Sequence, residues 1–287
     1  MTLSPPSEPV SFSQRVRQAF GRHVAAYEPQ ARLQRGIAWR LASWAQNHGW
    51  GHSSRRRQPL PQGPGADLGA GTGLVGRALE AWRIPLPAPL QQLDLCPEAL
   101  ARNSSGPTFP WDLNQGLPPQ LQGAALLTSS FALQWLDTPT EALTRWGELL
   151  APGGWLLLAV PTAGSFPQWR QAAQRAGVPC SALTLPRAEA LLHAGARGGL
   201  EIVRSQVLTF SPQRPASNTP APLAALRALQ AIGAGTSRQP APLTPGAWRR
   251  LLAAWPQGGQ LSWEVLLLLA QKRQGWAPTP GAPPCNW

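Results

Sequence analysis

Residues 67–73 of this chain combine a carboxylate with three closely spaced glycines. The run Asp67-Leu68-Gly69-Ala70-Gly71-Thr72-Gly73 is followed by Leu74-Val75-Gly76-Arg77-Ala78-Leu79, which is suited to begin a helix. Glycine permits positive φ and lets a ligand lie directly against the main chain. A tight glycine turn between a strand and a helix is typical of nucleotide-binding α/β folds. The spacing predicts a ligand of this kind, and the alternative is a glycine-rich turn that binds nothing.

Two further acidic residues follow predicted strands. Asp94 ends the predicted strand 90–95, and a carboxylate at that position can accept hydrogen bonds from both hydroxyls of a ribose. Asp112 follows Phe109-Pro110-Trp111 in a turn-like segment. The structural alternatives are a helix-capping role for Asp94, since Pro97-Glu98 is typical of a helix start, and a turn role for Asp112.

The fourth predicted strand spans 124–130, and the segment that follows it contains the remaining candidate binding residues. It continues as Phe131-Ala132-Leu133-Gln134-Trp135-Leu136. Ligands of open α/β sheets bind at the carboxyl ends of the strands. We therefore expect residues 129–135 to line the binding pocket.

The hydrophobic pattern predicts the elements that position these residues in the first half of the chain. Apolar residues recur at helical spacing from Ser13 onward, with a break at Pro29. The residues before Asp67 are poor strand material, which predicts a short or distorted first strand. Thr138-Pro139-Thr140-Glu141 has the pattern of a capping box at a helix start. Ala151-Pro152-Gly153-Gly154 is predicted to end that helix before a buried strand, 155–160.

In the second half, the pattern predicts helices between late strands. Two short strands, 201–203 and 207–210, precede a helix over 222–232. A further helix is predicted from Thr244, before a last apolar strand over 261–272. A helical insert between two late strands would lie over the strand ends, in the position of a lid.

These elements predict a single domain over residues 13–273. It comprises N-terminal helices at 13–49, a sheet core at 60–210, a helical lid at 211–259 and a last strand at 260–273. The segments 1–12 and 274–287 are predicted to be disordered tails.

Composition limits the class of protein. The 287 residues are 43% hydrophobic and contain no apolar run of transmembrane length. The first residues lack an apolar signal-peptide core, and the three scattered cysteines form neither a disulfide framework nor a zinc set. We expect a cytoplasmic protein with reduced thiols. The net charge is +12, and almost all of the positive charges are arginines. Such a charge attracts acidic partners but does not indicate which kind of partner binds.

The motif Asp-x-Gly-x-Gly-x-Gly resembles motif I of class I S-adenosylmethionine (SAM) methyltransferases. From about Val16 to Lys272 the chain is similar to the BioC-type malonyl-acyl-carrier-protein O-methyltransferases of the biotin pathway. The resemblance is carried by 16–22 leading to Tyr27, by 130–135, by Gly164-Ser165-Phe166-Pro167 and, most specifically, by 225–234. It implies an α/β fold with a Rossmann-like sheet, N-terminal helices and a helical lid inserted between the last two strands.

The resemblance also implies a cofactor, SAM, and residues that bind it. Asp67, Gly69, Ala70, Gly71 and Gly73 would hold its methionyl part, Asp94 with Leu95 its ribose, and Asp112 with Leu113 its adenine. Ser130 would lie beside the methyl group.

The implied reaction is methylation of the free carboxylate of a malonyl thioester. A carboxylate is already ionised at pH 7, so no base is required and catalysis depends on positioning. The implied catalytic residues are Tyr27, Ser130, Gln134 and Trp135. Tyr27, Phe131, Phe166 and Arg227 are the implied substrate-binding residues, and no metal site is expected.

The implied partner is malonyl-acyl-carrier protein or malonyl-CoA, and an acidic carrier would suit the basic surface. We expect a monomer with no membrane association. A nucleic-acid substrate is disfavoured, because the segment after the fourth strand lacks the Asn/Asp-Pro-Pro-aromatic run typical of amino-methylating nucleic-acid enzymes. Two different functions stay open on the sequence: methylation of another carboxylic acid or of a quinone precursor, and SAM binding without catalytic activity.

Overall fold

A seven-stranded mixed sheet organises the part of the chain that a computed structural model describes, residues 10–50, 59–211, 221–238, 242–257 and 260–276. The strands are β1 (Gly65–Leu68), β2 (Leu90–Asp94), β3 (Thr108–Pro110), β4 (Ala124–Ser130), β5 (Leu150–Pro161), β6 (Leu200–Phe210) and β7 (Trp263–Lys272). Their spatial order is β3-β2-β1-β4-β5-β7-β6, and β7 alone runs antiparallel to its neighbours. The order reverses between β1 and β4, which places a binding crevice at the carboxyl ends of these two strands.

Nine α-helices lie in the described ranges. They are α1 (Phe12–Gln30), α2 (Arg32–Asn47), α3 (Leu74–Ala81), α4 (Pro97–Leu100), α5 (Pro139–Leu149), α6 (Pro167–Ala176), α7 (Ala188–Arg197), α8 (Ala221–Ala231) and α9 (Pro245–Ala253). Two apolar clusters, one on each face of the sheet's central strands, pack the helices against it. The central strands are continuous apolar runs because both of their faces are buried. The predicted α/β fold is therefore confirmed.

The first strand is short, as its sequence indicated. It spans four residues, Gly65–Leu68, and all four are buried. It pairs with β2 on one side and with β4 on the other. This short pairing is enough to hold the glycine turn that follows at the centre of the sheet.

Two boundary predictions near the chain ends need correction. Helix α1 begins at Phe12, where Ser11 and Gln14 form a capping box, so Phe12 is not part of a tail. At the other end, residues 274–276 are ordered beside the last strand. Trp276 covers the ammonium group of Lys272 at 3.5 Å, and this group donates hydrogen bonds of 2.8 Å to the carbonyls of Gly147 and Gly198. Residues 1–9 and 277–287 of the predicted tails lie outside the described residues.

The capping box predicted at Thr138 is wrong. Thr138 is the N-cap of α5, but its side chain accepts no hydrogen bond from the helix. Its ψ is 76°, whereas the two N-caps that do bond their helices, Ser11 and Thr244, have ψ values of 163° and 157°. Glu141 lies within 3.8 Å of Arg145 one turn along instead.

Two strand predictions also need correction. Residues 151–154, predicted as a helix stop, belong to β5, which begins at Leu150 and has an irregular register opposite Ala124. The two short strands predicted at 201–203 and 207–210 are one strand, β6, with a register shift between Ile202 and Arg204. In both places a local irregularity interrupts the sequence pattern without interrupting the pairing.

Helices α8 and α9 lie between β6 and β7 in the chain, as the lid prediction requires. Phe166, Trp169, Leu229 and Leu251 belong to a third apolar cluster that joins them to α6. None of the described helices is both long and apolar enough to cross a membrane.

Candidate functional site

The turn after β1 is a glycine loop that approaches its neighbours closely. Gly69, Gly71 and Gly73 have φ values of 72°, 52° and 89°. The amides of Gly69 and Ala70 donate to the carbonyl of Leu93, at 2.8 and 2.9 Å. A side chain at Gly69 would overlap the β-carbon of Ala132, so this position is restricted to glycine by φ and by space.

A cavity opens between this loop and α1, which we call the loop cavity. The predicted SAM-binding residues that line it are Asp67, Gly69, Ala70, Gly71, Asp94, Leu95, Asp112, Leu113 and Ser130. Gly73 is not among the lining residues. It is instead the N-cap of α3, and its carbonyl accepts a hydrogen bond from Ser105.

Asp94 fixes the middle of the glycine loop. Its Oδ2 accepts a hydrogen bond of 2.8 Å from the amide of Gly71, and its Oδ1 accepts one of 2.8 Å from the amide of Cys96. Burial raises the pKa of Asp94, while these two amide hydrogen bonds act in the opposite direction. Each oxygen keeps a further lone pair for a ligand hydroxyl. The carboxylate thus joins the loop to the end of β2, where a ribose would lie.

Asp67 carries an unpartnered oxygen into the same site. Its Oδ1 accepts a hydrogen bond of 2.7 Å from the hydroxyl of Thr128, and its buried Oδ2 has no partner among the described residues. Burial raises the pKa of Asp67 to about 7, and the negative charge of Asp94 adds to the increase. A buried acidic oxygen without a donor is suited to a cationic or hydrogen-bonding ligand group.

SAM affinity should therefore depend on pH. If the ammonium group of SAM binds the Asp67 carboxylate, the dissociation constant measured by calorimetry should fall about tenfold from pH 6 to pH 8, as Asp67 ionises. The D67N variant should lose this dependence. Since folding raises the pKa of this acid from 3.8, the unliganded protein should lose stability as the pH rises from about 4 through 7. A wild-type affinity that is flat across this range would contradict the assignment.

The far end of the loop cavity is formed by the segment after β3. The Oδ1 atom of Asp112 accepts a 2.9 Å hydrogen bond from the amide of Asn114 and caps a short 3-10 helix, Leu113–Gln115. The amide group of Asn114 donates to the hydroxyl of Ser13 at 2.9 Å, which attaches this segment to α1. Asp112 therefore fills the predicted turn role, and its second oxygen stays available for a ligand.

A second cavity, here the aromatic cavity, lies beyond the segment Phe131–Trp135. Phe131 and Trp135 line both cavities, so this dividing segment forms the boundary between them. Phe166 lines the aromatic cavity, and its ring lies 4.6 Å from that of Trp263. Trp263 in turn lies 5.7 Å from the ring of Phe131. None of the described residues lining this cavity is charged.

Gln134 makes a contact within the dividing segment, and its predicted catalytic role stays a prediction. Its amide nitrogen donates a 2.7 Å hydrogen bond to the carbonyl of Phe131, and it lines the aromatic cavity but not the loop cavity. Phe131 has a φ of 56°, which is strained for a side chain of this size. Gln134 therefore positions the Phe131 backbone. The hydroxyl of Ser130, which lines the loop cavity, is buried without a partner among the described residues.

Tyr27, on α1, lines both cavities. Burial raises the pKa of its phenol well above the ordinary value, and the negative charges of Asp94 and Glu28 contribute. The hydroxyl is therefore neutral at physiological pH and can donate a hydrogen bond, but it is unsuited to act as a base.

Arg227 is not brought to the site. It lies on the exposed side of α8 and lines neither cavity. Its predicted contact with substrate stays a prediction that the fold does not favour.

Sequence reasoning missed several polar residues of the aromatic cavity. Gln34 lines both cavities, while Trp169 and Ser181 line the aromatic cavity with buried polar atoms that lack partners among the described residues. These residues lie in α2, α6 and the loop after α6, and no local motif marks them. Within the described ranges, no group of three or more histidine, cysteine or acidic residues could hold a metal ion.

Comparison with known proteins agrees with this geometry. Residues 16–205 match the methyltransferase domain family. The phosphoethanolamine N-methyltransferase 2 of Haemonchus contortus, solved with S-adenosyl-L-methionine, aligns with a TM-score of 0.52 and 16% identity over 94% of this chain and 62% of that chain. The fold and the glycine-loop site thus define a class I methyltransferase.

Sequence relatives narrow this class. The malonyl-[acyl-carrier protein] O-methyltransferase of Alcanivorax borkumensis is 30% identical over 270 residues, which are 90% of this chain and 86% of that protein. The biotin biosynthesis bifunctional protein BioCD of Bordetella avium is 35% identical over 140 residues, 45% of this chain and 29% of that protein. The chain belongs to the malonyl-acyl-carrier-protein O-methyltransferase family, and the resemblance stated from its sequence is confirmed.

Proposed function

We propose that this protein transfers the methyl group of SAM to the free carboxylate of a malonyl thioester carried by an acyl carrier protein, as a step of biotin biosynthesis. The observation that carries the proposal is the dividing segment, Phe131–Trp135. It separates a cavity with buried acidic groups from an aromatic cavity without charged residues in its described lining. The substrate and the pathway named for its relatives support the proposal.

The loop cavity has the donor set that SAM requires. The unpartnered Oδ2 of Asp67 is suited to the ammonium group of the methionyl part, and Asp94 to the ribose hydroxyls. A side chain added at Gly71, which lines this cavity, would meet no protein atom within 4 Å, so the space there is left for a ligand. Asp112 and Leu113 would bind the adenine.

When bound, SAM supplies a methyl group attached to a positively charged sulfur, which is open to attack by a nucleophile. A malonyl carboxylate is such a nucleophile in its ordinary ionised state. The dividing segment would place it beside the cofactor, and catalysis would then come mainly from positioning. The uncharged lining of the aromatic cavity would remove water from the carboxylate, which strengthens its interactions there.

This reaction requires neutral hydrogen-bond donors that orient the acceptor, and it requires no base. Tyr27, Trp169 and Ser181 line the aromatic cavity, and each carries a hydroxyl or indole N–H group. Such groups can orient a carboxylate or a thioester carbonyl without a counter-ion that would lower its nucleophilicity. Ser130 would lie beside the methyl group, and Phe131, Trp135 and Phe166 would form the apolar contacts.

A panel of thioesters tests the proposal. Purified protein and labelled SAM should give labelled malonyl-acyl-carrier protein, and acetyl-acyl-carrier protein should stay unlabelled because it lacks the distal carboxylate. A malonyl thioester whose distal carboxylate is replaced by an amide should also stay unlabelled. Labelling of the acetyl or amide compound would move the acceptor away from the carboxylate and contradict the proposal. The monomeric state and the cytoplasmic location stay predictions.

A further inference from the structure

A third opening, which we call the basic groove, lies between α1 and the end of α8. Arg15, Arg22 and His23 line one side, and Gln230, Gly233 and the turn Gly235–Thr236 line the other. Positions 15, 18, 19 and 22 recur at helical spacing, so α1 presents them on one face. Among the described residues of its lining, none is acidic.

The basic groove adjoins the aromatic cavity. Gly235 and Thr236 line both, and Phe20 on α1 lines the aromatic cavity and the loop cavity beyond it. Gly233 keeps the two helices close, because its φ is 73° and an added β-carbon would lie 2.9 Å from the Phe20 ring. An elongated ligand that binds in the groove and crosses Gly235 and Thr236 would extend into the aromatic cavity, toward the dividing segment.

The two arginines of the groove are not neutralised by the protein. Neither Arg15 nor Arg22 forms an ion pair within the described ranges. The buried Nε of Arg15 has no hydrogen-bond partner there, and the guanidinium lies 5.7 Å from the ring of Phe12. The Nε of Arg22 donates to the carbonyl of Gln18 at 3.1 Å, which orients the guanidinium while its other N–H groups stay available.

We infer that the basic groove binds the phosphate of the phosphopantetheine arm of an acyl carrier protein, while the thioester end of that arm lies in the aromatic cavity. This inference rests on the proposed function, since a carrier-bound thioester is the acceptor. The arm is a flexible chain with one anionic phosphodiester, and guanidinium groups without a carboxylate partner are suited to bind that anion. The uncharged cavity lining suits the part of the arm between phosphate and thioester.

The test compares acceptors with and without the phosphate. In the R15Q/R22Q double variant, kcat/KM should fall about tenfold or more for malonyl-acyl-carrier protein and for malonyl-CoA, mainly through KM. Malonyl-pantetheine, which has the arm without its phosphate, should change less than about twofold. The matched control is R102Q/R197Q, which removes the same charge from exposed positions that line none of the three openings. This control should retain wild-type kinetics on all acceptors.

Three results would overturn the inference on kinetic grounds. An equal fall on malonyl-pantetheine would show a structural role for the arginines, and unchanged kinetics on both phosphate-bearing acceptors would exclude phosphate binding. A fall on the carrier protein but not on malonyl-CoA would also overturn it, because it would assign the arginines to the carrier surface.

Binding of free 4′-phosphopantetheine separates this inference from the proposed function. Wild-type protein should bind it more tightly than pantetheine, by calorimetry, and the double variant should lose that preference. If the wild-type protein methylates no malonyl thioester but keeps this preference, the proposed function fails and the groove assignment stands. If malonyl-acyl-carrier protein is methylated and the preference is absent, the groove assignment fails alone.

Discussion

Replacing Asp94 with alanine should weaken SAM binding by about 100-fold or more. The carboxylate holds the Gly71 and Cys96 amides at 2.8 Å and would bind the ribose hydroxyls in addition. Hydrogen bonds to a charged group are worth about 1.5–3 kcal/mol each, so loss of two ribose contacts gives about 3–6 kcal/mol. Calorimetric titration with SAM and with S-adenosylhomocysteine measures the effect, and methyl transfer should fall in parallel.

Two further variants test whether the loss of SAM affinity comes from the Asp94 carboxylate. D94N keeps one acceptor oxygen and should lie between the wild type and D94A. E189A removes an exposed carboxylate that lies outside both cavities, and its affinity for SAM should match the wild type. If D94A is folded, with a melting temperature close to that of the wild type, and binds SAM within about fivefold of the wild type, Asp94 is not a cofactor residue.

Replacing Gly69 with alanine should abolish measurable SAM binding and methyl transfer. A side chain there would be strained by a φ of 72° and would overlap the β-carbon of Ala132. Relief of the overlap must move either the glycine loop or the dividing segment, and both line the loop cavity. The strain alone costs about 1–2 kcal/mol, and displacement of the segment would add a loss of positioning.

Gly177 provides the matched control for this substitution. Its φ is 60°, but an added β-carbon meets no atom within 4 Å, and it ends α6 away from the loop cavity. G177A should therefore lose stability by about 1–2 kcal/mol in chemical denaturation while its SAM affinity stays unchanged. Equal SAM affinities in G69A and G177A would show that the close approach at Ala132 has no functional consequence.

Most of the polar lining of the loop cavity was predictable because its residues follow strands in a fixed pattern. Asp67, Asp94 and Asp112 lie within or shortly after β1, β2 and β3, and parallel strands bring these ends to one edge of the sheet. Gly73 was the exception. Its positive φ is needed to begin α3, so motif spacing alone does not distinguish a glycine that turns the chain from one that touches the ligand.

The lining of the aromatic cavity was less predictable because it is assembled from distant segments. Trp169, Ser181 and Trp263 meet only when α6, the loop after it and β7 pack together, and each would be an ordinary core residue in sequence alone. Gln134 was assigned to catalysis by its position in a motif, and the motif did not show that its amide nitrogen bonds the carbonyl of the strained Phe131. Arg227 was assigned by charge on a lid helix, and the fold exposes it instead.

The chemical form of the product tests the central claim most directly. Malonyl-acyl-carrier protein labelled from SAM should carry the label as a methyl ester of the distal carboxylate. Mild alkali should then release labelled methanol, and fragmentation should place the methyl group on oxygen. Label that survives alkali and lies on the central malonyl carbon, or on the carrier protein itself, would contradict carboxylate methylation at the boundary between the two cavities.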